Sequence, residues 1–228
     1  METVIPVPPL PTLAVVGTGA VFPVRRIYCV GRNYGDHARE MGADPQREPP
    51  FFFGKPADAV VSGGGAVPFP PATSNLHHEV ELVVALARGG RDLSADQAAE
   101  AIFGYAVGLD LTRRDLQASA KEKGQPWDMA KGFDHSAPVS ALTVVPEGGL
   151  LQGGAIWLSV NKTERQRGDL ADMIWSVTEV IAQLSALVEL APGDLIFTGT
   201  PAGVGALRRG DRVHCGIQGL AELAIQIV

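Results

Sequence analysis

The stretch His77-His78-Glu79-Val80-Glu81-Leu82-Val83-Val84-Ala85-Leu86 decides how this chain is read. Its apolar, β-branched composition predicts a strand of about ten residues over 77–86. Successive side chains of a strand alternate in direction, so Glu79 and Glu81 project together from one face. Their neighbours Val80, Leu82, Val83, Val84 and Leu86 suit a core. Two carboxylates held beside a core repel one another unless a cation or a proton lies between them. The pair alone leaves a second reading open, a partly exposed strand with both charges on its wet side.

A second strand runs through Tyr105-Ala106-Val107-Gly108-Leu109-Asp110-Leu111. Its period of two sends Tyr105, Val107, Leu109 and Leu111 one way and Ala106, Gly108 and Asp110 the other. Asp110 is thus a carboxylate on the small-residue side, where Gly108 and Ala106 leave space for an ion or ligand. Three hard oxygen donors without a thiolate favour Mg²⁺, Mn²⁺ or Ca²⁺ over zinc. On a continuous strand His77 shares the face of Glu79 and Glu81. It is read as a neighbour of the carboxylates and not as a ligand.

Around these strands the chain is punctuated by 27 glycines and 17 prolines, which implies many turns between short elements and a strand-rich mixed fold. Residues 1–23, with Pro6, Pro8, Pro9, Pro11 and Pro23, read as an extended arm or edge strand, and 24–228 as one domain. Ile27–Val30 is a short strand. Residues 36–41 look like a short helix stopped by Gly42, and the prolines at 45, 49 and 50 make a loop able to move. Ser94-Ala95-Asp96-Gln97 is a capping box that predicts a helix over 95–103, closed by Gly104. A helix from Thr112–Asp115 ends at Gly124. A second capping box, Ser176-Val177-Thr178-Glu179, opens a helix that stops before Pro192. Short strands follow at 195–198, 213–217 and 223–228.

Three further groups of residues carry possible chemistry. His37 and Glu40 lie three apart on the short helix, so a carboxylate could orient an imidazole as a base near neutral pH. An incidental surface ion pair fits the same spacing. Lys131, with Arg114 and Gln125, could hold a carboxylate or an oxyanion near the metal. Lys121 and Lys123 read as solvated surface. Thr198-Gly199-Thr200-Pro201-Ala202-Gly203-Val204-Gly205 permits close backbone approach to a ligand, but it lacks the Gly-Lys-Ser/Thr end of a phosphate loop.

Composition excludes other classes. The net charge of −6 argues against a nucleic-acid partner. Cys29 and Cys215 cannot form a disulfide framework or a cysteine zinc site. No apolar run is long enough for a membrane helix, so no membrane partner is expected. The opening Met-Glu-Thr-Val has no signal-peptide pattern, and a cytoplasmic protein is expected.

Taken in order, these segments resemble the fumarylacetoacetate hydrolase family, in its group of acylpyruvate hydrolases. The matching residues are Cys29–Tyr34 with Asp36-His37, Phe53-Gly54-Lys55-Pro56, His78–Leu82, Gly108–Thr112, Gln125-Pro126-Trp127, Ala130–Phe133, Gly193-Asp194 and Thr198–Gly205. The resemblance implies an α+β fold of the mixed β-roll type, a homodimer, and Mg²⁺ or Mn²⁺ held by Glu79, Glu81 and Asp110. It implies catalytic roles for His37, Glu40 and Lys131, and substrate contacts for Arg32, Arg114, Gln125 and Thr200. The implied reaction is hydrolytic C–C cleavage of a 2,4-dioxo acid, with fumarylpyruvate of gentisate catabolism as the favoured substrate. Oxaloacetate decarboxylation, or hydratase or isomerase chemistry of aromatic catabolism on the same fold, would use the same metal ligands. A non-catalytic metal-binding module would explain the three carboxylates but not His37, Glu40 and Lys131.

Overall fold

A computed structural model of the chain describes residues 3–35, 48–146 and 149–228. The architecture is α+β, with mixed sheets curled into a roll and few helices. The larger sheet runs in the order Phe51–Lys55, Arg26–Gly31, Asp194–Phe197, Val80–Leu86, Ile102–Leu109, Ala137–Val139, Val60–Ser62. Two of its pairings are parallel and the others antiparallel. A five-stranded sheet, Thr163–Asp169, Ala155–Val160, Arg212–Ile217, Leu223–Ile227 and Gly65–Val67, packs across from it.

The central strands are buried on both faces, which is why Val80–Leu86 reads as an almost unbroken apolar run. Val80, Leu82, Val84, Tyr105, Val107 and Leu109 face the main core, together with Ile156, Leu158, Cys215 and Ile225 of the second sheet. Val83, Ala85, Ala106 and Phe197 face a second core, completed by Leu13, Val15 and Phe22. Residues 12–23, expected as an extended arm or edge strand, therefore contribute a hairpin, Thr12–Ala14 with Val21–Pro23, that covers this face.

The expected strand over 77–86 is broken. Leu76–His78 pairs with Thr112–Arg113 and Gly205–Leu207 in a small separate sheet, whereas Val80–Leu86 belongs to the large one. The chain changes sheets at Glu79. The small-residue side of Ile102–Leu109 also differs from expectation. A Cβ on Gly108 would lie 2.5 Å from Val83 Cγ2 and 2.7 Å from the Phe197 ring, so the room there is filled by the second core and not by an ion.

Both capping boxes form as read. The Ser94 and Ser176 side chains accept from the N3 backbone, and Gln97 and Glu179 return the bond. The first helix ends at Ala101, two residues early, because Ile102 already pairs with Leu86. Gly104 lies within that strand, where a Cβ would meet the Thr143 carbonyl oxygen at 2.3 Å. The helix after Thr112 spans Arg114–Glu122. No helix among the described residues is long and apolar enough to cross a membrane.

Asn33 ties the end of the Arg26–Gly31 strand to two distant segments. Its amide donates to the carbonyls of Trp175 (2.9 Å) and Thr198 (2.8 Å) and accepts from the Trp175 N–H (2.8 Å). Asn33 itself is 1% exposed; its bond to Thr198 is buried and its two bonds to Trp175 are partly buried. At ~1 kcal/mol for each lost bond, Asn33→Ala should destabilise the protein by about 3 kcal/mol. Urea unfolding at fixed protein concentration reads this directly. A loss well under about 1 kcal/mol would mean that water replaces the amide without strain.

Candidate active site

Two strands deliver the acids. Val80 pairs with Leu109 at the last rung of their ladder, and the Asp110 N–H donates to the Glu79 carbonyl at 2.9 Å just beyond it. Glu81 lies opposite Gly108 one step inside. Glu79, Glu81 and Asp110 therefore emerge on the second-core face at the end of the sheet. One oxygen from each lies within 4.8 Å of the others. Among the described residues this is the one carboxylate, histidine or cysteine cluster close enough to hold a metal ion.

The three acids are 0–5% exposed, so each needs a partner. Lys131 Nζ lies 2.9 Å from Glu79 Oε2 and 2.6 Å from Asp110 Oδ2. Lys55 Nζ lies 2.8 Å from Asp110 Oδ1 as an ion pair outside hydrogen-bond alignment, and it donates to the Leu111 and Lys131 carbonyls. Arg114 Nη2 pairs with Glu79 Oε1. Burial would lower the Lys131 ammonium's pKa, but Asp110 and Glu79 outweigh it and hold the pKa above its ordinary value.

Glu81 has a different environment. Its Oε2 accepts from the Gly199 N–H at 2.7 Å, and no ammonium or guanidinium pairs with it among the described residues. Burial pushes its carboxyl well above the usual carboxylate range, and Asp110 and Glu79 push it further; Lys131 and the Gly199 N–H pull the other way. Gly199 reaches Glu81 with a φ of +98°, and a Cβ there would lie 2.8 Å from Asn33 Cβ, so only glycine fits. A divalent cation is the missing charge that would let all three acids ionise together, and an all-oxygen donor set suits a hard cation. The residues present fit a metal of the Mg²⁺ or Mn²⁺ type.

Glu79 and Glu81, with Lys131, floor a cleft, and Asp110 is fully buried behind them. Arg32, Arg114, Lys131 and Thr200 line it, as the sequence suggested, with Phe51, Phe53 and Trp127 as aromatic walls. The Arg114 guanidinium is largely committed, to Glu79, to Gln117 Oε1 and to His77 Nδ1 at 3.3 Å. His77 accepts from Arg114, so its Nε2 carries the proton donated to Asn75 Oδ1 at 2.9 Å. It takes no place in the carboxylate cluster, because the strand break turns it away.

Gln125 is exposed and does not line the cleft. Gly124, with a φ of +62°, turns the chain outward there, and the buried Gln117 stands in the cleft instead. Lys121, read as plain surface, is exposed but stands on the cleft rim. Lys55 was missed as a site residue; its signal was a lysine closing the aromatic run Phe51-Phe52-Phe53. His37 and Glu40, with most of the expected mobile loop, lie outside the described residues.

Residues 26–228 match the model of the family described as "Fumarylacetoacetate (FAA) hydrolase C-terminal". The chain is 45% identical over 184 residues to a fumarylpyruvate hydrolase of a Ralstonia species, covering 81% of this chain and 95% of that one. It is 42% identical over 206 residues to the mitochondrial oxaloacetate tautomerase FAHD1 of Rattus norvegicus, covering 89% and 91%. The crystal structure of a fumarylpyruvate hydrolase from Pseudomonas aeruginosa in complex with Mn²⁺ and pyruvate superposes with a TM-score of 0.97 at 50% identity, over 100% of this chain and 99% of that one. With the family model matched over residues 26–228, to the last residue, the chain belongs to the fumarylacetoacetate hydrolase C-terminal family.

Proposed function

We propose that the protein is a metal-dependent hydrolase that cleaves the C–C bond of an acylpyruvate, with fumarylpyruvate, an intermediate of gentisate catabolism, as its substrate. The observation that carries this reading is the buried triad of Glu79, Glu81 and Asp110 with the Lys131 ammonium between two of its members, at the floor of a cleft. The likeness to two fumarylpyruvate hydrolases supports the substrate. Bound by the triad, Mg²⁺ or Mn²⁺ supplies Lewis-acid polarisation at the 2-oxo acid end of the substrate.

The chain's own residues do the rest. His37, oriented by Glu40, takes a proton from a water that adds to the distal carbonyl carbon. The bond between that carbon and the methylene breaks, the electron pair leaves as the enolate of pyruvate, and protonation of its carbon gives pyruvate. The distal half leaves as a carboxylic acid. Lys131 has three N–H groups and spends two on Glu79 and Asp110, so one remains for the oxygen that gains charge during attack. Arg32, stacked over Phe51 at 5.5 Å, and Thr200 contact the substrate's carboxylates. Gln117 takes the place first given to Gln125.

The likeness to an oxaloacetate tautomerase supports a second reading, keto–enol exchange of oxaloacetate. It needs the same acids but no attacking water. The protein is also proposed to act as a homodimer in the cytoplasm. Val21 and Val144, both exposed, line one apolar groove that a second copy would cover.

Three outcomes test this reading. Chelation should abolish the loss of the 2,4-dioxo enolate chromophore, Mg²⁺ or Mn²⁺ should restore it, and Asp110→Ala should lose metal affinity while the circular dichroism of the fold persists. Full turnover in a metal-free preparation would sink the metal role. His37→Ala and Glu40→Gln should each slow fumarylpyruvate hydrolysis at least about a hundredfold, the low end for a general base, and slow any oxaloacetate decarboxylation, which needs no attacking water, much less. Equal losses in both reactions would remove the water-activating role. Sedimentation at micromolar concentration should give twice the 24.0 kDa chain mass, and a clean monomer would exclude the dimer.

A further inference from the structure

Strand Thr163–Asp169, Thr-Glu-Arg-Gln-Arg-Gly-Asp, is polar throughout, but one of its side chains is fully buried. Gln166 is 1% exposed and makes four hydrogen bonds. Its Oε1 lies 3.2 Å from the Val80 backbone nitrogen and 2.9 Å from His78 Nδ1. Its Nε2 lies 2.8 Å from Thr200 Oγ1 and 2.9 Å from the Pro201 carbonyl oxygen.

Two of these partners have fixed polarity. A backbone N–H can only donate, so the atom facing Val80 is the amide oxygen. A carbonyl can only accept, so the atom facing Pro201 is the amide nitrogen. The amide cannot flip. Of the two protons on Nε2, one goes to Pro201 and the other to Thr200, so the Thr200 oxygen is an acceptor in that bond. A threonine hydroxyl has a single proton, and this one must point elsewhere. Among the described residues it meets no acceptor. Thr200 is 2% exposed and lines the cleft beside Glu81 and Lys131.

We propose that Gln166 is a positioning residue: by donating to Thr200 Oγ1 it turns the hydroxyl proton into the cleft, where it donates to the carboxylate of a bound 2-oxo acid. The inference deepens the proposed function and rests on it for the ligand class. Gln166 touches no ligand. It acts through Thr200, and it spans the strand break, since it also holds Val80 and His78 on either side of Glu79. That second duty is structural, so the test must separate the two.

The probe is oxalate, a non-reacting mimic of the pyruvate enolate, titrated calorimetrically into the Mg²⁺-loaded protein. Gln166→Glu keeps the acceptor for Val80 and His78 but places an oxygen where the donor was, so Thr200 would turn its proton back toward residue 166. This variant and Thr200→Val should each weaken oxalate about tenfold or more, the usual worth of a hydrogen bond to a charged group. Thr200→Ser, which keeps the hydroxyl, should bind nearly as the parent does. In the Thr200→Val background, Gln166→Glu should cost no more than about twofold further, because both changes remove one donor. Should Gln166→Glu fail to fold, Gln166→Met, uncharged and of similar length, carries the same expectation of dependence on Thr200.

Undiminished oxalate affinity in Thr200→Val overturns the inference. So does a Gln166 variant that weakens oxalate by the same factor whether residue 200 is threonine or valine, which is the signature of a purely structural role. A parent protein that binds oxalate in the expected way but cleaves no acylpyruvate would count against the proposed function and leave this inference standing.

Discussion

Everything in this molecule is arranged around three carboxylates held out of water. Moving an ion from water into a protein interior costs several kcal/mol even after relaxation, and like charges add to that cost. Glu79 and Asp110 meet it with Arg114, Lys55 and Lys131. Glu81 meets it with one backbone N–H, and burial holds its carboxyl well above the usual carboxylate range. A site with one unneutralised acid and two neutralised ones is poised for a cation. The lysines and the arginine hold Glu79 and Asp110 in place through direct ion pairs within the protein.

The two-faced sheet makes that arrangement possible. On Val80–Leu86 the odd positions face the second core and the even positions the main one. Glu79 and Glu81 are odd, and so share their face with Val83 and Ala85. Apolar packing behind Glu81 fixes its direction, and the Gly199 N–H fixes its far oxygen. Asn33 holds both ends of this device: its amide anchors the Thr198 carbonyl, and Gly199 can approach its Cβ only because it has none of its own. Stability and site geometry thus depend on the same few contacts.

What the sequence disclosed was mostly local. The capping boxes at Ser94 and Ser176 are complete within four residues, and both form. The alternation through Tyr105–Asp110 assigns each side chain to its correct face, and the acids converge as the spacing implied. What stayed hidden depends on partners far along the chain. The strand break at Glu79 exists because His78 pairs with Gly205 and Val80 with Leu109, and nothing within 77–86 records that choice. Gln117 and Gln125 are equally plausible in a list of polar residues; Gln117 lies on the buried side of the Arg114–Glu122 helix, whereas Gln125 follows the turn at Gly124 and is exposed. Gln166 is the extreme case, since a buried glutamine inside an otherwise polar strand has no hydrophobic pattern to reveal it.

The relatives differ in their reactions, and the layering of the site gives a physical reason why such divergence is easy. Its floor is over-determined: each buried charge is held by at least one other buried group, and removing any one strands its partner at a cost of several kcal/mol. Substitutions there disturb the whole cluster. The rim is loosely determined. Arg32 and Lys121 are exposed, neither has a carboxylate partner among the described residues, and Phe51 and Trp127 meet edge to face at 5.4 Å without filling the cleft. Under the proposed reaction, a change at the rim would alter which distal group is accepted while the same buried floor is kept. The substrate can therefore change at the edge of this site without reopening its electrostatic balance.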